Sequence, residues 1–450
     1  MQILLAIFLT TIACLFVPRD PKIVSDLSIS GIFLTLSILA LVFRGNSGRA
    51  VMFRPYAIFL LATWLWVIYD LIFGVYYIDG FEKSVYQYSL ILIGVFLICP
   101  VIFDRTSNRE KLALVSLSGN KMLRKNAAME RAVYKYQSTV FFALFILAIF
   151  VYLYRANFDF HLIFESLTTT GRFNAPWSRG SLGDATAVLD HLSYFGYAMP
   201  VLYAFLFTKL SAVKKVIYLL MFLVFLMFVF HSGNRRLVAS QLLILIACMA
   251  YFNRAWFSGR LLPLLGLVGL PFLMDYMLQT RNVGLSEAEY KGLEILSVDD
   301  IFLRLCELVT LIPDTFDYLY IEVLYFAVIR YIPRALWEGK PTALSFSLGE
   351  YNDINASLTM SAIGEGYLSF GVVGVIISAL LFGALIAYAA RLYRDLHLGL
   401  YTFGMYVLSC NLIILGVRSI NEIFIQSFPI ICFYLMAKLM AKHSSPTQSR

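Results

Sequence analysis

The stretch Val216-Ile-Tyr-Leu-Leu-Met-Phe-Leu-Val-Phe-Leu-Met-Phe-Val-Phe-His-Ser232 decides the fold class. It carries no Asp, Glu, Lys or Arg, and it does not alternate apolar with polar residues as a strand of a membrane barrel does. In hydrocarbon every backbone N–H and C=O must be satisfied internally, which leaves a helix as the solution for such a run. Comparable runs fall at about 2–18, 27–43, 56–77, 86–103, 138–154, 192–208, 237–252, 261–279, 370–390, 398–417 and 421–439. Several fall slightly short of the ~20 residues that cross the hydrocarbon core, a mismatch that bilayer thinning and snorkelling flanks absorb. The expectation is an all-α polytopic membrane protein of about 12 transmembrane helices, with 1–450 as a single integral membrane domain.

Composition agrees. Hydrophobic residues make up 60% and charged residues 14%, against roughly 45–50% and about 25% in soluble domains. The first run, Met1 to Val17, lacks a basic leader and a small-residue cleavage site, so it reads as a retained helix. Cysteines offer no framework: five lie in apolar runs, and Cys306 stands by itself in a long loop.

Lys and Arg placement gives orientation. With the N-terminus in the cytoplasm, 21 of the 36 basic residues fall on that side, opposed only by Asp104, Glu110, Glu130 and Asp395. The C-terminus is then cytoplasmic too, and 104–137 is a basic cytoplasmic loop. The surplus of +8 is accordingly a topology signal and a contact with the anionic leaflet, and nucleic acid is excluded as a partner. Two large outer loops remain, 155–191 and 280–369. The second is too long for a bare connection, and its apolar stretches Ile301–Leu311 and Tyr318–Ile332 read as interfacial or re-entrant helices. Loops of this size on a rigid scaffold commonly carry function.

The outer side is unusually rich in arginine. Arg235 and Arg236 sit in the short link after Ser232, Arg172 and Arg179 in the first large loop, and Arg281 at the start of the second. Arg330 and Arg334 lead into Pro333-Arg-Ala-Leu-Trp-Glu-Gly-Lys-Pro341, which also holds Lys340. Guanidinium groups clamp phosphate bidentately, as a pyrophosphate-linked donor requires; headgroup anchoring or pairing with outer acids is the plainer alternative. Glu365, in Gly364-Glu-Gly-Tyr-Leu-Ser-Phe-Gly371, is a candidate general base for a sugar hydroxyl. A helix-start acid favoured by the dipole is its structural alternative. His231, four residues before Arg235, is a second candidate base, with a structural helix-end histidine as its alternative. Asp70 and Asp275 lie within spans; Asp275, shortly before Arg281, is a functional candidate by default, with a structural pairing to an arginine as its alternative. No nucleotide loop, zinc spacing or nucleophile elbow occurs.

These residues carry a family resemblance. Gly233-Asn-Arg-Arg236, Ile332-Pro-Arg-Ala-Leu-Trp-Glu-Gly-Lys-Pro341 and Gly364-Glu-Gly-Tyr-Leu-Ser-Phe-Gly371 resemble segments of the bacterial O-antigen and oligosaccharide repeat-unit polymerases, the Wzy type. Each large outer loop also holds an arginine followed eleven residues later by glycine, Arg172 with Gly183 and Arg281 with Gly292. The resemblance implies a GT-C-like glycosyltransferase of the bacterial inner membrane, independent of metal and without cofactor. It would join undecaprenyl-pyrophosphate-linked repeat units in the periplasm, with a flippase and a chain-length regulator as partners. On that basis Arg172, Arg235, Arg236, Arg281, Arg330, Arg334 and Lys340 would hold pyrophosphate, and Glu365 or His231 would deprotonate the acceptor. Tyr351, Trp177 and Trp337 would supply stacking surface. An O-antigen ligase acting on lipid A core shares these needs, and a polytopic transporter or flippase is the rival from another class; neither repeated halves nor paired broken helices are visible in the sequence.

Overall fold

The computed structural model describes residues 2–43, 54–78, 80–103, 119–169, 175–177, 185–207, 210–231, 235–252, 276–277, 300–329, 332, 337, 339–341, 344–346, 348–352, 358–395 and 400–444. Among these, the long regular elements are all helical. They are α1 (Gln2–Leu15), α2 (Ser28–Val42), α3 (Pro55–Phe73), α4 (Lys83–Phe103), α5 (Gly119–Arg155), α6 (Phe160–Thr169), α7 (Met199–Phe207), α8 (Ala212–His231) and α9 (Arg235–Phe252). Then follow α10 (Ile301–Leu311), α11 (Glu322–Ile329), α12 (Ser361–Arg394), α13 (Leu400–Arg418) and α14 (Ile420–Ser444). A single isolated bridge joins Ile23 to Tyr77.

Eight helices among the described residues are long and apolar enough to cross a membrane, and the chain is an all-α polytopic membrane protein. They match the runs expected at 27–43, 56–77, 86–103, 138–154, 216–232, 370–390, 398–417 and 421–439. The runs at 2–18 and 237–252 form helices whose apolar parts are shorter, Gln2–Leu15 and Leu237–Ile246. The run at 192–208 begins in a 3-10 segment, Ala185–Ala198, before α7. The run at 261–279 lies outside the described residues except for its 276–277 portion.

Burial separates axis from rim. In α13, 94% of the apolar window is inside the protein, against 28% in α8, so α13 is the axis and α8 faces lipid. Apolar side chains gain little by meeting each other in lipid, so close packing and hydrogen bonds join the helices. Ser30 Oγ donates to the Ala13 carbonyl at 2.7 Å and Ser37 Oγ to the Ala6 carbonyl at 3.1 Å, tying α2 to α1. Tyr56 donates to the Leu97 carbonyl at 3.0 Å, tying α3 to α4. Phe59, Phe96 and Phe382 meet with ring centroids 5.3 and 5.4 Å apart, closing α3, α4 and α12 around one aromatic core.

Helix α12 is two helices. Phe370 and Gly371 leave helical geometry, Gly371 with φ +60° and ψ −139°, a region open essentially to glycine. The short arm, 361–369, folds back on the long arm, 372–394, and Ser378 Oγ donates to the Ala362 carbonyl at 3.0 Å across the hairpin. Ser361 Oγ accepts from the Gly364 N–H at 3.3 Å, an N-terminal cap for the short arm. Gly366 and Gly374 face each other at the crossing, and a Cβ on Gly374 would collide with the Gly366 carbonyl oxygen. The long arm, at 1.5 Å per residue, is about 34 Å long and spans alone. Short links at 395–399 and at Ser419 make α12, α13 and α14 run alternately up and down. Gly371 and Ser419 therefore share one end of the bundle, and Arg391, Arg394, Lys438 and Lys442 the other.

Helix α10 is too short to cross, about 16 Å, yet Ile301, Phe302, Leu305, Cys306 and Leu308 are all buried against α4 and α12. Arg304 survives there by pairing: its Nη1 donates to both Glu307 oxygens at 2.8 and 2.9 Å and its Nε to Asp300 Oδ2 at 2.9 Å. Burial opposes the Arg304 charge, but the Asp300 and Glu307 carboxylates hold its pKa above the ordinary value. Burial likewise pushes the Glu307 carboxyl up, against the pull of Arg304. The following strap, 312–319, lies on the short arm, with Tyr367 donating to the Ile312 carbonyl at 3.0 Å and the Leu319 N–H to the Leu368 carbonyl at 2.9 Å.

Gly374→Ala is expected to destabilise the protein by about 1–3 kcal/mol, the usual cost of overpacking. Val373→Ala, at a side chain 60% exposed on the adjacent face, should be close to neutral. Thermal unfolding of the two purified variants in detergent checks this: equal melting temperatures would contradict the hairpin.

Candidate functional site

The short arm of α12 carries Glu365 into the bundle, where only 6% of the residue remains exposed. Both carboxylate oxygens are engaged by the α13–α14 turn. Ser419 Oγ donates to Oε1 at 2.5 Å, and the Ile420 N–H donates to Oε2 at 2.5 Å. Ile420 is the first residue of α14, so the carboxylate satisfies one of the free N–H groups at that helix start and meets the positive end of its dipole. The sequence offered a helix-start acid as the plain role for Glu365; the helix it serves is α14, not its own.

Other polar groups gather at this junction. Arg418, the last residue of α13, lies over the Trp66 ring at 5.9 Å, and the Trp66 indole N–H donates to the Ile414 carbonyl at 2.9 Å. Trp66 stands in a π-helical turn, Trp64–Ile68, which interrupts α3; such turns recur at functional sites. Arg418 and Glu422 are both within electrostatic reach of Glu365, and Glu422 is buried. One turn beyond Glu422, Asn411 Nδ2 donates to Gln426 Oε1 at 3.0 Å between α13 and α14. Among the described residues, Asn411 Oδ1, Gln426 Nε2 and Asn421 Oδ1 have no hydrogen-bond partner although buried. Unsatisfied buried polar atoms are costly, so this line of groups is suited to hold water.

His231 lies elsewhere. At the end of α8 it is 7% exposed, and its ring meets Trp177 edge-on at 5.4 Å. Trp177 packs on Phe228 at 5.3 Å, and Phe228 stacks on Tyr152 at 4.6 Å. This aromatic box belongs to a different packing cluster from Glu365. Arg235 and Arg236 open helix α9, four and five residues after His231; their side chains are outside the described residues. Arg172, Arg179, Arg281, Arg330, Arg334 and Asp275 also lie outside them. Lys340 Nζ donates to the Ile332 carbonyl at 2.8 Å and its N–H to the Trp337 carbonyl at 3.1 Å. Asp70 is buried on α3, one turn after Trp66.

Sequence reasoning missed Ser419, Arg418, Trp66, Asn411 and Gln426. A usable signal existed: polar residues at 411, 418, 419, 421, 422 and 426 interrupt two spans that are otherwise apolar.

Chemically, a buried carboxylate that accepts from a serine hydroxyl is able to take a proton from it or simply to brace the turn. In the arrangement seen, Glu365 braces, and a substrate hydroxyl reaches it only if the short arm withdraws. No family model, curated protein or solved structure matches the chain.

Glu365→Gln retains the shape and satisfies both contacts, its carbonyl accepting from the Ile420 N–H while Ser419 rotates to accept from the amide. Glu365→Ala leaves both donors stranded and should cost about 2–3 kcal/mol. Melting temperatures of the purified variants are expected to fall in the order wild type, Glu365→Gln, Glu365→Ala. Indistinguishable values for wild type and Glu365→Ala would remove the brace.

Proposed function

We propose that the chain is a membrane-embedded glycosyltransferase that polymerises undecaprenyl-pyrophosphate-linked oligosaccharide repeat units at the outer face of the bacterial inner membrane. The observation that carries this reading is the re-entrant arm bearing Glu365: it gives a buried acid, beside Arg418, at the end of the bundle opposite the basic residues Arg391, Arg394, Lys438 and Lys442. By the positive-inside bias that basic end is cytoplasmic, so Glu365 belongs to the outer half. The compartment there supplies no nucleotide sugar, and a donor already activated on a lipid is what remains. The product sugar chain passes from its lipid pyrophosphate to a hydroxyl of the next unit. One glycosidic bond forms, one anomeric carbon–oxygen bond breaks, and the acceptor proton goes to a base. Glu365 is that base on this reading, freed from Ser419 when the short arm moves, with His231 as the second candidate. Arg172, Arg235, Arg236, Arg281, Arg330, Arg334 and Lys340 hold the pyrophosphates and stabilise the leaving charge.

One observation favours a second reading. Asp70, Glu365 and Glu422 are buried acids, and α12 is a broken helix. Buried acids with discontinuous helices are how secondary transporters hold substrate and coupling ion, so a flippase for the same lipid-linked glycans is the alternative.

Deletion of the gene in its host, with surface polysaccharide resolved by size, separates these. Polymerisation predicts collapse of the ladder to a single repeat unit, restored by wild type and reduced at least tenfold in complementation by Arg235→Ala or Glu365→Gln. Full-length polymer held on its lipid carrier would replace polymerase by ligase. Loss of single-unit product as well would favour the flippase, and an unchanged polysaccharide profile would end the glycosyltransferase reading.

A further inference from the structure

Where the strap over the short arm meets α11, a cleft of about 290 Å³ opens, lined by Phe316, Asp317, Tyr318, Tyr320, Glu322 and Phe346 among others. That volume is near the lower end of small-molecule sites, ~300–1,000 Å³, so it suits a sugar ring or two, not a whole repeat unit. Its aromatic walls are exposed yet held. Phe316 is backed by Phe346 at 4.9 Å and Tyr351 at 6.0 Å, and Tyr320 by Tyr318 at 6.4 Å and Phe370 at 5.7 Å.

Tyr320 is the informative residue. Its φ is +49°, left-handed backbone that a bulky side chain adopts only at a cost of order 1–3 kcal/mol. Burial does not offset that cost, because Tyr320 is 57% exposed. The turn closed by the Glu322 N–H on the Leu319 carbonyl at 2.9 Å holds this backbone, and the Tyr320 ring lines the cleft.

Charge narrows the ligand. Glu322 is fixed by Ser345, whose N–H and hydroxyl donate to its two oxygens at 2.5 and 2.6 Å. Asp317 stands open on the same wall, and among the described lining residues there is no lysine or arginine. A phosphate or uronate would meet two like charges. Sugar hydroxyls and an ammonium group donate to carboxylates, and the C–H face of a pyranose lies against an aromatic ring. Beside the cleft, Ile321, Tyr325 and Val328 are exposed at helical spacing, an apolar face suited to the membrane surface.

From this juxtaposition we infer that the cleft is a saccharide subsite at the membrane surface, which stacks a neutral or amino sugar on Phe316 and Tyr320 and excludes anionic sugars and pyrophosphate through Asp317 and Glu322. The recognition chemistry stands on these residues alone. That the sugar belongs to a lipid-linked repeat unit rests on the proposed function.

The test is saturation-transfer NMR on the full chain in lipid nanodiscs, with methyl glucoside, glucosamine and glucuronic acid as probes. Wild type should saturate the first two at least threefold more strongly than glucuronic acid. Tyr320→Ala should lower the transfer at least threefold with an unchanged melting temperature, Tyr320→Phe should retain it, and Asp317→Asn should narrow the margin over glucuronic acid. Equal transfer to all three probes, no transfer in wild type, or full transfer in Tyr320→Ala would each overturn the inference. Sugar binding with a polysaccharide ladder indifferent to gene deletion would leave the subsite standing and end the polymerase. A gene-dependent ladder with no saturation transfer would do the reverse.

Discussion

A carboxylate inside a membrane bundle is costly unless its oxygens find donors, and each oxygen of Glu365 finds one as it grips the turn between α13 and α14. Much of the architecture at this end follows from the grip. To bring the carboxylate there, the chain enters α12 backwards, on a capped arm of a few turns, and reverses at Gly371. The arm needs a cover, which the strap 312–319 and the buried helix α10 provide, and α10 in turn needs the Asp300–Arg304–Glu307 set to bury an arginine without leaving its charge bare. The hairpin, the strap and the ion cluster are packed in succession around one buried acid.

The same constraint fixes the short arm at several points. Besides the two hydrogen bonds of Glu365 and the close glycine–glycine crossing, the arm is tied by Ser378 to Ala362, by Tyr367 to Ile312 and by Leu319 to Leu368, while the long arm and α13 pack around Phe382 and Ile413. Displacement of the short arm would free Glu365 and expose a line of polar groups that runs through Glu422 to Asn411 and Gln426, while leaving the spanning helices in place. The aromatic cleft beside the strap lies at the same end of the bundle as the α13–α14 turn.

What could be read from the sequence was the frame. Runs such as Val216–Ser232 declare spans because hydrocarbon leaves the backbone no alternative. The partner of Glu365 was not legible: Ser419 and Ile420 lie more than fifty residues away and resemble any polar link between two spans. Hydropathy likewise does not report burial: α8 at the rim is more apolar than α13 at the axis. The cleft aromatics were passed over in favour of Trp177, Trp337 and Tyr351, although Phe316-Asp-Tyr-Leu-Tyr320 sets three aromatics at alternate positions with an acid between the first two. Trp177 instead packs into the box around His231, and Tyr351 backs Phe316.

The central claim is chemical, and reconstitution tests it most directly. The purified chain in lipid vesicles would be given undecaprenyl-pyrophosphate-linked oligosaccharide with no nucleotide sugar, ATP or added protein, and the products separated by size. The account predicts glycans at integral multiples of the starting unit, with one undecaprenyl pyrophosphate released for each bond formed. Starting material that remains at unit length while it crosses from one leaflet to the other would contradict it and make the protein a transporter.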